Sequence, residues 1–120
     1  MSRILIIDDS ESIQDFVSIY LKENGYSIAT AITKPEIYNE LGIFHPDLII
    51  MDVLLGGNNG KELCKEIKSH PDTKHVPIIL FSASGQLLED YEECEADATI
   101  KKPFDLSAML KLIQQLLTAN

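Results

Sequence analysis

The sequence predicts an α/β protein built on a five-stranded parallel sheet in a doubly wound, three-layer arrangement. A chain of 120 residues is long enough for one domain, so residues 1–120 are treated as a single unit. Its short apolar runs are continuous rather than alternating, which is typical of strands covered on both faces. A segment with apolar residues at helical spacing follows each run. Right-handed crossovers then favour (βα)5 with the strand order 2-1-3-4-5.

The five predicted strands differ in how apolar they are. The first, third and fourth are strongly apolar, whereas the second and fifth are weaker and are placed at the two edges of the sheet. In chain order they are Ile4–Ile7, Tyr26–Thr30, Leu48–Met51, Val76–Phe81 and Ala98–Ile100.

Helices are predicted between the strands from apolar stripes and end signals. Ser10 can cap the first helix, and Asn24 with Gly25 can end it. The second helix is expected from Pro35 to about Phe44, and Asp105 can cap the last one. The third and fourth rest on shorter stripes: Leu63, Cys64 and Ile67, then Leu87, Leu88, Tyr91 and Cys94.

Composition excludes several classes of partner and location. Ten basic against 19 acidic residues give a net charge of −9, and the basic residues are scattered, so direct binding to nucleic acid or to an anionic membrane is not expected. No apolar run reaches membrane-spanning length, and the N-terminus has no secretory signal pattern. We therefore expect a cytoplasmic protein in which Cys64 and Cys94 are buried, reduced residues.

Polar residues follow four of the predicted strands and should meet at one edge of the sheet. Asp8 and Asp9 follow the first strand, Asp52 the third, Ser82 the fourth and Lys102 the fifth. In an open α/β sheet, ligands bind beyond the carboxyl ends of the strands near the switch point. Four separate segments thus bring three carboxylates, a hydroxyl and an ammonium to that position.

Three neighbouring carboxylates repel one another unless a cation neutralises them or a pKa rises. Hard oxygen ligands without His or Cys favour Mg²⁺, Mn²⁺ or Ca²⁺, and a small incomplete cage favours Mg²⁺. A carboxylate can also act as a nucleophile and form an acyl phosphate, and Asp52 is the best placed to do so.

Each of these residues also has a local structural explanation. Asp8 and Asp9 could cap the first helix, and Asp52 could be a loop carboxylate before a glycine-rich turn. Ser82 could cap the fourth helix, and Lys102 could be one more solvated lysine. Their coincidence at one edge favours phosphate chemistry.

The whole chain resembles the receiver domains of two-component response regulators, which have a flavodoxin-like fold. Four motifs carry the resemblance: Asp8-Asp9, Asp52 with Gly57 and Gly60, Ser82-Ala83, and Lys102-Pro103-Phe104. No single motif is specific, but the four together, in this order and at this spacing, are specific to the family.

The resemblance implies that Asp52 accepts a phosphoryl group from a phosphohistidine on a histidine kinase or phosphotransfer protein. It implies direct Mg²⁺ ligation by Asp9, Asp52 and the Leu54 carbonyl, with Asp8 acting mainly through water and Mn²⁺ able to substitute. The protein would take part in its own phosphorylation and dephosphorylation without being an enzyme for other substrates.

The resemblance also implies which groups contact the phosphoryl oxygens. These would be Ser82, Lys102 and the backbone N–H of Ala83. A cis bond between Lys102 and Pro103 would direct the lysine toward the site.

The sequence departs from the family pattern at three positions. Thr99 replaces the usual aromatic residue, which puts the familiar aromatic readout in doubt, and Gly56 replaces a common proline, which should loosen its loop. Leu54 is apolar where it would overlook the phosphoryl group, so self-dephosphorylation is expected to be slow.

Output is expected through the face formed by helix 4, strand 5 and helix 5, toward a partner or an effector domain. The same face could also pair two copies into a homodimer. A run of acidic residues in the fourth helix is either a solvated surface or a contact for a basic partner. It comprises Glu89, Asp90, Glu92, Glu93 and Glu95.

Two other functions fit the sequence less well. A receiver-shaped interaction module that no longer switches by phosphorylation is one. The other is an Mg²⁺-dependent aspartyl phosphatase of the haloacid dehalogenase type, which needs a second Asp where this chain has Leu54.

Overall fold

A computed structural model describes residues 2–102 and 105–118 of the chain. Five strands form the main sheet: β1 (Arg3–Ile7), β2 (Ser27–Ala31), β3 (Leu48–Asp52), β4 (Ile78–Ser82) and β5 (Ala98–Lys101). Five α-helices accompany them: α1 (Glu11–Glu23), α2 (Lys34–Ile43), α3 (Gly60–Ser69), α4 (Gly85–Leu88) and α5 (Leu106–Thr118). A two-residue hairpin pairs Leu54–Leu55 with Asn58–Asn59, and a 3-10 turn covers Tyr91–Cys94.

The main sheet is parallel throughout and has the order β2-β1-β3-β4-β5, which confirms the predicted topology. The order reverses between β1 and β3, so the carboxyl ends of these two strands flank the switch point. Asp52 ends β3, and Asp8 follows β1 directly. The topology alone therefore brings these two carboxylates together.

Alternate residues of each central strand enter two different cores, one on each face of the sheet. In β1, Ile4 and Ile6 pack with Val17 and Leu21 of α1 and with residues of α5. The intervening Leu5 and Ile7 belong to the opposite core, which α2, α3 and α4 cover. Burial on both faces explains why the central strands are continuous apolar runs.

Local end signals act as the sequence predicts. The Ser10 side chain accepts a hydrogen bond from Ile13 N at the start of α1, and Gly25 follows its end with a φ of 92°. Thr33 and Glu36 form a capping box at the start of α2. Among the described residues, no helix is long and apolar enough to cross a bilayer.

The fourth predicted strand begins two residues later than expected, at Ile78 rather than Val76. Pro77 has no N–H to contribute to the ladder, although its carbonyl accepts from Ile49 N at 2.9 Å. The strand also extends to Ser82, so that Ser82 is its last residue rather than the first of the following loop.

The prediction of one continuous fourth helix through Leu87, Leu88, Tyr91 and Cys94 is wrong. The α4 helix ends at Leu88, and the 3-10 turn follows separately between Asp90 (φ 58°) and Glu95 (φ 66°). Five carboxylates in seven residues would repel one another at helical spacing, which disfavours a continuous helix. In addition, Lys61 Nζ donates to the Glu89 carbonyl at 2.8 Å, where the helix is interrupted.

Candidate functional site

Three carboxylates converge at the switch point of the sheet. Asp8, Asp9 and Asp52 each offer an oxygen, and the three oxygens lie within 4.8 Å of one another. Asp8 is fully buried and Asp52 is 7 % exposed, whereas Asp9 is exposed. The cluster therefore has two carboxylates inside the protein and one at its mouth, open to an incoming ligand.

Lys102 is the counter-charge of this cluster. Its Nζ donates to Asp52 Oδ2 at 2.9 Å and to Asp8 Oδ2 at 3.2 Å. The ammonium also lies 4.4 Å from the centre of the Phe81 ring, in cation–π contact. A backbone hydrogen bond from Lys102 N to the Ser82 carbonyl, at 2.8 Å, fixes the position of the lysine after β5.

Buried Asp8 and partly buried Lys102 shift each other's pKa. Burial raises the pKa of Asp8, and the nearby Asp52 charge adds to that rise, while hydrogen bonding from Ser10 N and attraction from Lys102 only partly oppose it. Burial lowers the pKa of Lys102, but its hydrogen bonds and attractions to Asp52 and Asp8 outweigh this, and the net change is upward. Lys102 therefore stays charged, and Asp8 is the carboxylate that is costly to ionise.

Asp52 presents its two oxygens to different donors. Oδ1 accepts from Leu54 N at 3.0 Å, while Oδ2 accepts from Lys102 Nζ. Leu54 itself begins the two-residue hairpin, and its side chain is 61 % exposed. The Leu54 backbone is thus held directly beside Asp52, and its apolar side chain is exposed.

The glycines after Asp52 allow this loop to fold tightly. Gly56 has a φ of 54°, and a Cβ placed there would lie 4.0 Å from Asp9 Oδ2. At Gly60 a Cβ would lie 2.2 Å from the Asp52 carbonyl oxygen and 2.8 Å from Val53 Cα. A side chain at Gly60 would therefore displace the backbone that carries Asp52.

Ser82 and Ala83 lie at the neighbouring strand end. Ser82 is buried, and its Oγ accepts from Ser84 N at 3.1 Å. Ala83 is exposed in the loop that leads to α4. Thr99 is half-buried in β5, opposite Leu80 in the ladder. Pro103, and with it the predicted cis bond, lies outside the described residues.

The local structural explanations of Asp8, Asp9, Ser82 and Lys102 are not what the structure shows. Ser10, not Asp8 or Asp9, caps α1, and Asp8 Oδ1 instead accepts from Ser10 N at 2.8 Å. Ser84, not Ser82, caps α4. Lys102 is not a solvated lysine, since only 16 % of its side chain is exposed.

Sequence reasoning missed two contributors to the site. Phe81 underlies the Lys102 ammonium, but its apolar run gave no sign of this because every residue of β4 is buried. Gly60 was noted only as part of a motif, and its close approach to Asp52 depends on how α3 begins. No local signal in the sequence indicated this approach, because the apolar stripe that predicted the third helix began only at Leu63.

Comparison with known proteins agrees with this geometry. Residues 4–114 match the family described as the response regulator receiver domain. The chain is 34 % identical over 119 residues to the DNA-binding dual master transcriptional regulator RpaA of Synechocystis, covering 98 % of this chain and 49 % of that protein.

Solved structures of response regulators are also similar to this chain in fold. Chemotaxis response regulator CheY4 of Vibrio cholerae superposes with a TM-score of 0.87 at 29 % identity, covering 97 % of this chain and 98 % of the other. Response regulator TrrA of Thermotoga maritima, solved in complex with Mg²⁺-BeF, gives a TM-score of 0.85 at 29 % identity, covering 97 % and 99 %.

A parallel sheet of this order with an acidic cluster and a lysine at its switch point defines a receiver-type α/β domain. The chain belongs to the response regulator receiver domain family of two-component systems. It spans about half the length of the first curated relatives it matches. Receiver domains of this family bind Mg²⁺ at an acidic pocket and interact with histidine kinases and effector domains.

Proposed function

We propose that this chain is a cytoplasmic phosphorylation switch in which Asp52 accepts a phosphoryl group from a phosphohistidine. The donor is a histidine kinase or a phosphotransfer protein. The observation that carries the proposal is the double hydrogen bond of Lys102 Nζ to Asp8 and Asp52, beside the exposed Asp9. This arrangement places carboxylates that can bind a metal ion and an ammonium group that can bind phosphate in one pocket.

The transfer needs little from the protein beyond position and charge. An Asp52 carboxylate oxygen attacks the phosphorus atom, the P–N bond to the imidazole breaks, and the bond's electron pair stays on the histidine nitrogen. The product is an acyl phosphate on Asp52. Lys102 is already within hydrogen-bond distance of Asp52 and can follow the developing charge onto the phosphoryl oxygens.

The donor set fits a hard divalent cation. Asp9 and Asp52 would bind Mg²⁺ directly together with the Leu54 carbonyl, and Asp8 would act mainly through water, with Mn²⁺ as a substitute. When bound, the cation neutralises carboxylate and phosphoryl charge. The tight turn at Leu54 supports this assignment because it holds that backbone beside Asp52.

Phosphorylation would change the contacts of Ser82 and Lys102. About two negative charges would arrive at Asp52. Lys102, Ser82 Oγ and the Ala83 N–H would close on the phosphoryl oxygens, with the Ser82 hydroxyl, which now accepts from Ser84 N, as a hydrogen-bond donor. The β4–α4 loop would then shift the α4–β5–α5 face, with a coupling of about 1–3 kcal/mol.

The output partner would be a downstream protein or an effector domain that recognises this face. A homodimer through the same face is an alternative assembly. The acidic segment from Glu89 to Glu95 would favour a basic partner, and binding would then weaken steeply with salt.

The direct test is to incubate the protein with a small phosphodonor and Mg²⁺ and to measure its intact mass. We expect one added phosphoryl group, and none for Asp52→Asn or when Mg²⁺ is chelated. Asp72→Asn, which changes an exposed carboxylate in the loop after α3, is the matched control and should be modified like the wild type.

A second arm compares two neighbouring lysines. Lys102→Met should slow phosphorylation at least about tenfold, because it removes the cation that faces Asp52. Lys101→Met, at an exposed position one residue earlier, should leave the rate unchanged. A folded wild-type protein that gains no phosphoryl group in Mg²⁺ would favour the interaction module that no longer switches.

A further inference from the structure

The two cysteines of the chain face each other across the boundary between α3 and the 3-10 turn. Cys64 Sγ lies 3.4 Å from the carbonyl oxygen of Cys94, and Cys94 Sγ lies 3.1 Å from the carbonyl oxygen of Tyr91. Both thiols are reduced, with Cys64 fully buried and Cys94 5 % exposed. Burial, reinforced by the adjacent Cys94 thiol, raises the pKa of Cys64. The two side chains thus occupy one small volume.

Cys94, but not Cys64, borders a surface groove. A groove of about 260 Å³ runs between α3 and the turn, and Cys94 is among its lining residues. The other residues that line it are Lys61, Glu62, Lys65, Asp90 and Glu93. Two lysines and three carboxylates therefore line the groove that Cys94 borders, while Cys64 is fully buried in the core. An oxidant entering the groove would meet Cys94 first.

The segment that carries Cys94 has a strained backbone. Asp90 and Glu95, which flank the 3-10 turn, both adopt left-handed φ values that are costly for residues other than glycine. The turn is also connected to α4 by a break rather than by continuous helix. Segments of this kind open locally more readily than the sheet does. When the turn opens, Cys94 would become more accessible from the groove. When it closes again, Cys94 would return to its position beside Cys64.

We propose that Cys64 and Cys94 form a redox pair, which hydrogen peroxide converts into an intramolecular disulfide between α3 and the turn. The Cys94 thiolate attacks a peroxide oxygen, which breaks the O–O bond and gives a sulfenic acid and, after proton transfer, water. Cys64 sulfur then attacks the sulfenic sulfur, and the second oxygen leaves as water. Two thiols supply the two electrons that reduce one hydrogen peroxide to two waters.

The bond would restrain the part of the chain that carries the acidic residues. A disulfide would anchor the turn to α3, thirty residues earlier in the sequence. The segment from Glu89 to Ala96 would then lose its local opening, and the adjacent α4 would lose freedom to move. The pair would thus add an oxidant-dependent control that does not use Asp52, Lys102 or the acidic cluster.

The experiment treats the wild-type protein with hydrogen peroxide, alkylates free thiols and measures intact and peptide masses without reductant. We expect the loss of two hydrogens, no alkylation, and a Cys64–Cys94 cross-linked peptide that a thiol reductant releases. Hydrogen exchange of residues 89–96 should slow at least about tenfold in the oxidised form. A disulfide that leaves this exchange unchanged would overturn the restraint on the turn.

Single variants assign the order of the two steps. Cys64→Ala should leave a sulfenic acid on Cys94 that dimedone traps, whereas Cys94→Ala should consume peroxide at least about tenfold more slowly than wild type. Two fully alkylated thiols after treatment, disulfide-linked dimers, or sulfinic acids in place of the disulfide would each overturn the pair. The wild-type masses decide the question even if a variant fails to fold.

Discussion

Lys102 Nζ bridges Asp8 Oδ2 at 3.2 Å and Asp52 Oδ2 at 2.9 Å, so a single ammonium holds carboxylates from two neighbouring strand ends. The lysine does not fully compensate the cost of burying the Asp8 charge. The Asp8 pKa still rises, because burial and the Asp52 charge outweigh the lysine and the Ser10 N–H. Ionised Asp8 therefore costs folding free energy at neutral pH.

The first prediction concerns Asp8→Asn. The pKa of Asp8 is higher in the folded state than in the unfolded state. At a pH between these two pKa values the folded state binds more protons, so the free energy of unfolding falls as the pH rises from the lower value to the higher one. Asparagine is uncharged and therefore does not carry the cost of a buried, ionised carboxylate. At neutral pH and without divalent cations, Asp8→Asn should therefore be more stable than wild type by about 1 kcal/mol.

Urea unfolding with a chelator present, followed from neutral pH down to about pH 4, checks this. The gain should shrink as the pH falls, because Asp8 of the wild type then becomes protonated. Asp72→Asn is the control and should show neither the gain nor its pH dependence. A variant less stable than wild type at neutral pH would mean that the Lys102–Asp8 attraction outweighs the burial cost.

The second prediction separates the close approach of Gly60 from its helix propensity. Gly60→Ala should destabilise the protein by about 1–3 kcal/mol, because a Cβ there would lie 2.2 Å from the Asp52 carbonyl oxygen. Propensity alone predicts the opposite sign, since alanine favours the start of α3. Gly57→Ala, where nothing lies within 4 Å, should change the free energy of unfolding by less than about 0.5 kcal/mol.

The third prediction concerns the lifetime of phosphorylated Asp52. The exposed, apolar Leu54 side chain beside Asp52 cannot orient an attacking water, so the acyl phosphate should persist for minutes rather than seconds in Mg²⁺. Leu54→Asn supplies a polar group at this position and should accelerate hydrolysis by roughly tenfold. Leu54→Met should leave the rate unchanged. The measurement is the decay of the phosphorylated mass after the donor is removed, and equal rates for all three proteins would contradict the role of Leu54.

The fourth prediction tests the strain around the 3-10 turn. Asp90→Gly and Glu95→Gly should each stabilise the protein by about 0.5–1 kcal/mol, because glycine adopts their left-handed φ values without steric cost. Glu92→Gly, inside the turn and without a positive φ, should instead destabilise it. Chemical unfolding of the three variants decides this, and destabilisation by all three would show that the left-handed residues are not strained.

The sheet and most helix ends could be predicted because they depend on local patterns. Continuous apolar runs such as Ile4–Ile7 report burial on both faces, and Ser10 or Thr33 reports a helix start from its immediate neighbours. The order of the strands then follows from crossover handedness. The position of Asp52 and Asp8 at adjacent strand ends was a consequence of that order alone.

The interrupted fourth helix could not be predicted from apolar spacing. Leu87, Leu88, Tyr91 and Cys94 have the spacing of a helical stripe, but the carboxylates between them repel one another and Lys61 binds the carbonyl of Glu89 from another element. The capping of α4 was likewise displaced from Ser82 to Ser84 because β4 runs to Ser82. The interruption thus depends partly on a contact with Lys61, 28 residues away, and the position of the cap depends on the pairing of β4 with its neighbouring strands.

The charge count of the pocket has a consequence for when it would act. Three carboxylates against one ammonium leave an excess of two negative charges, which one divalent cation would balance. The resting pocket would then be electrically neutral, and each phosphoryl group that arrives would be the sole source of uncompensated charge. The shift of the β4–α4 loop would thus be driven by a net charge that exists only while the signal lasts.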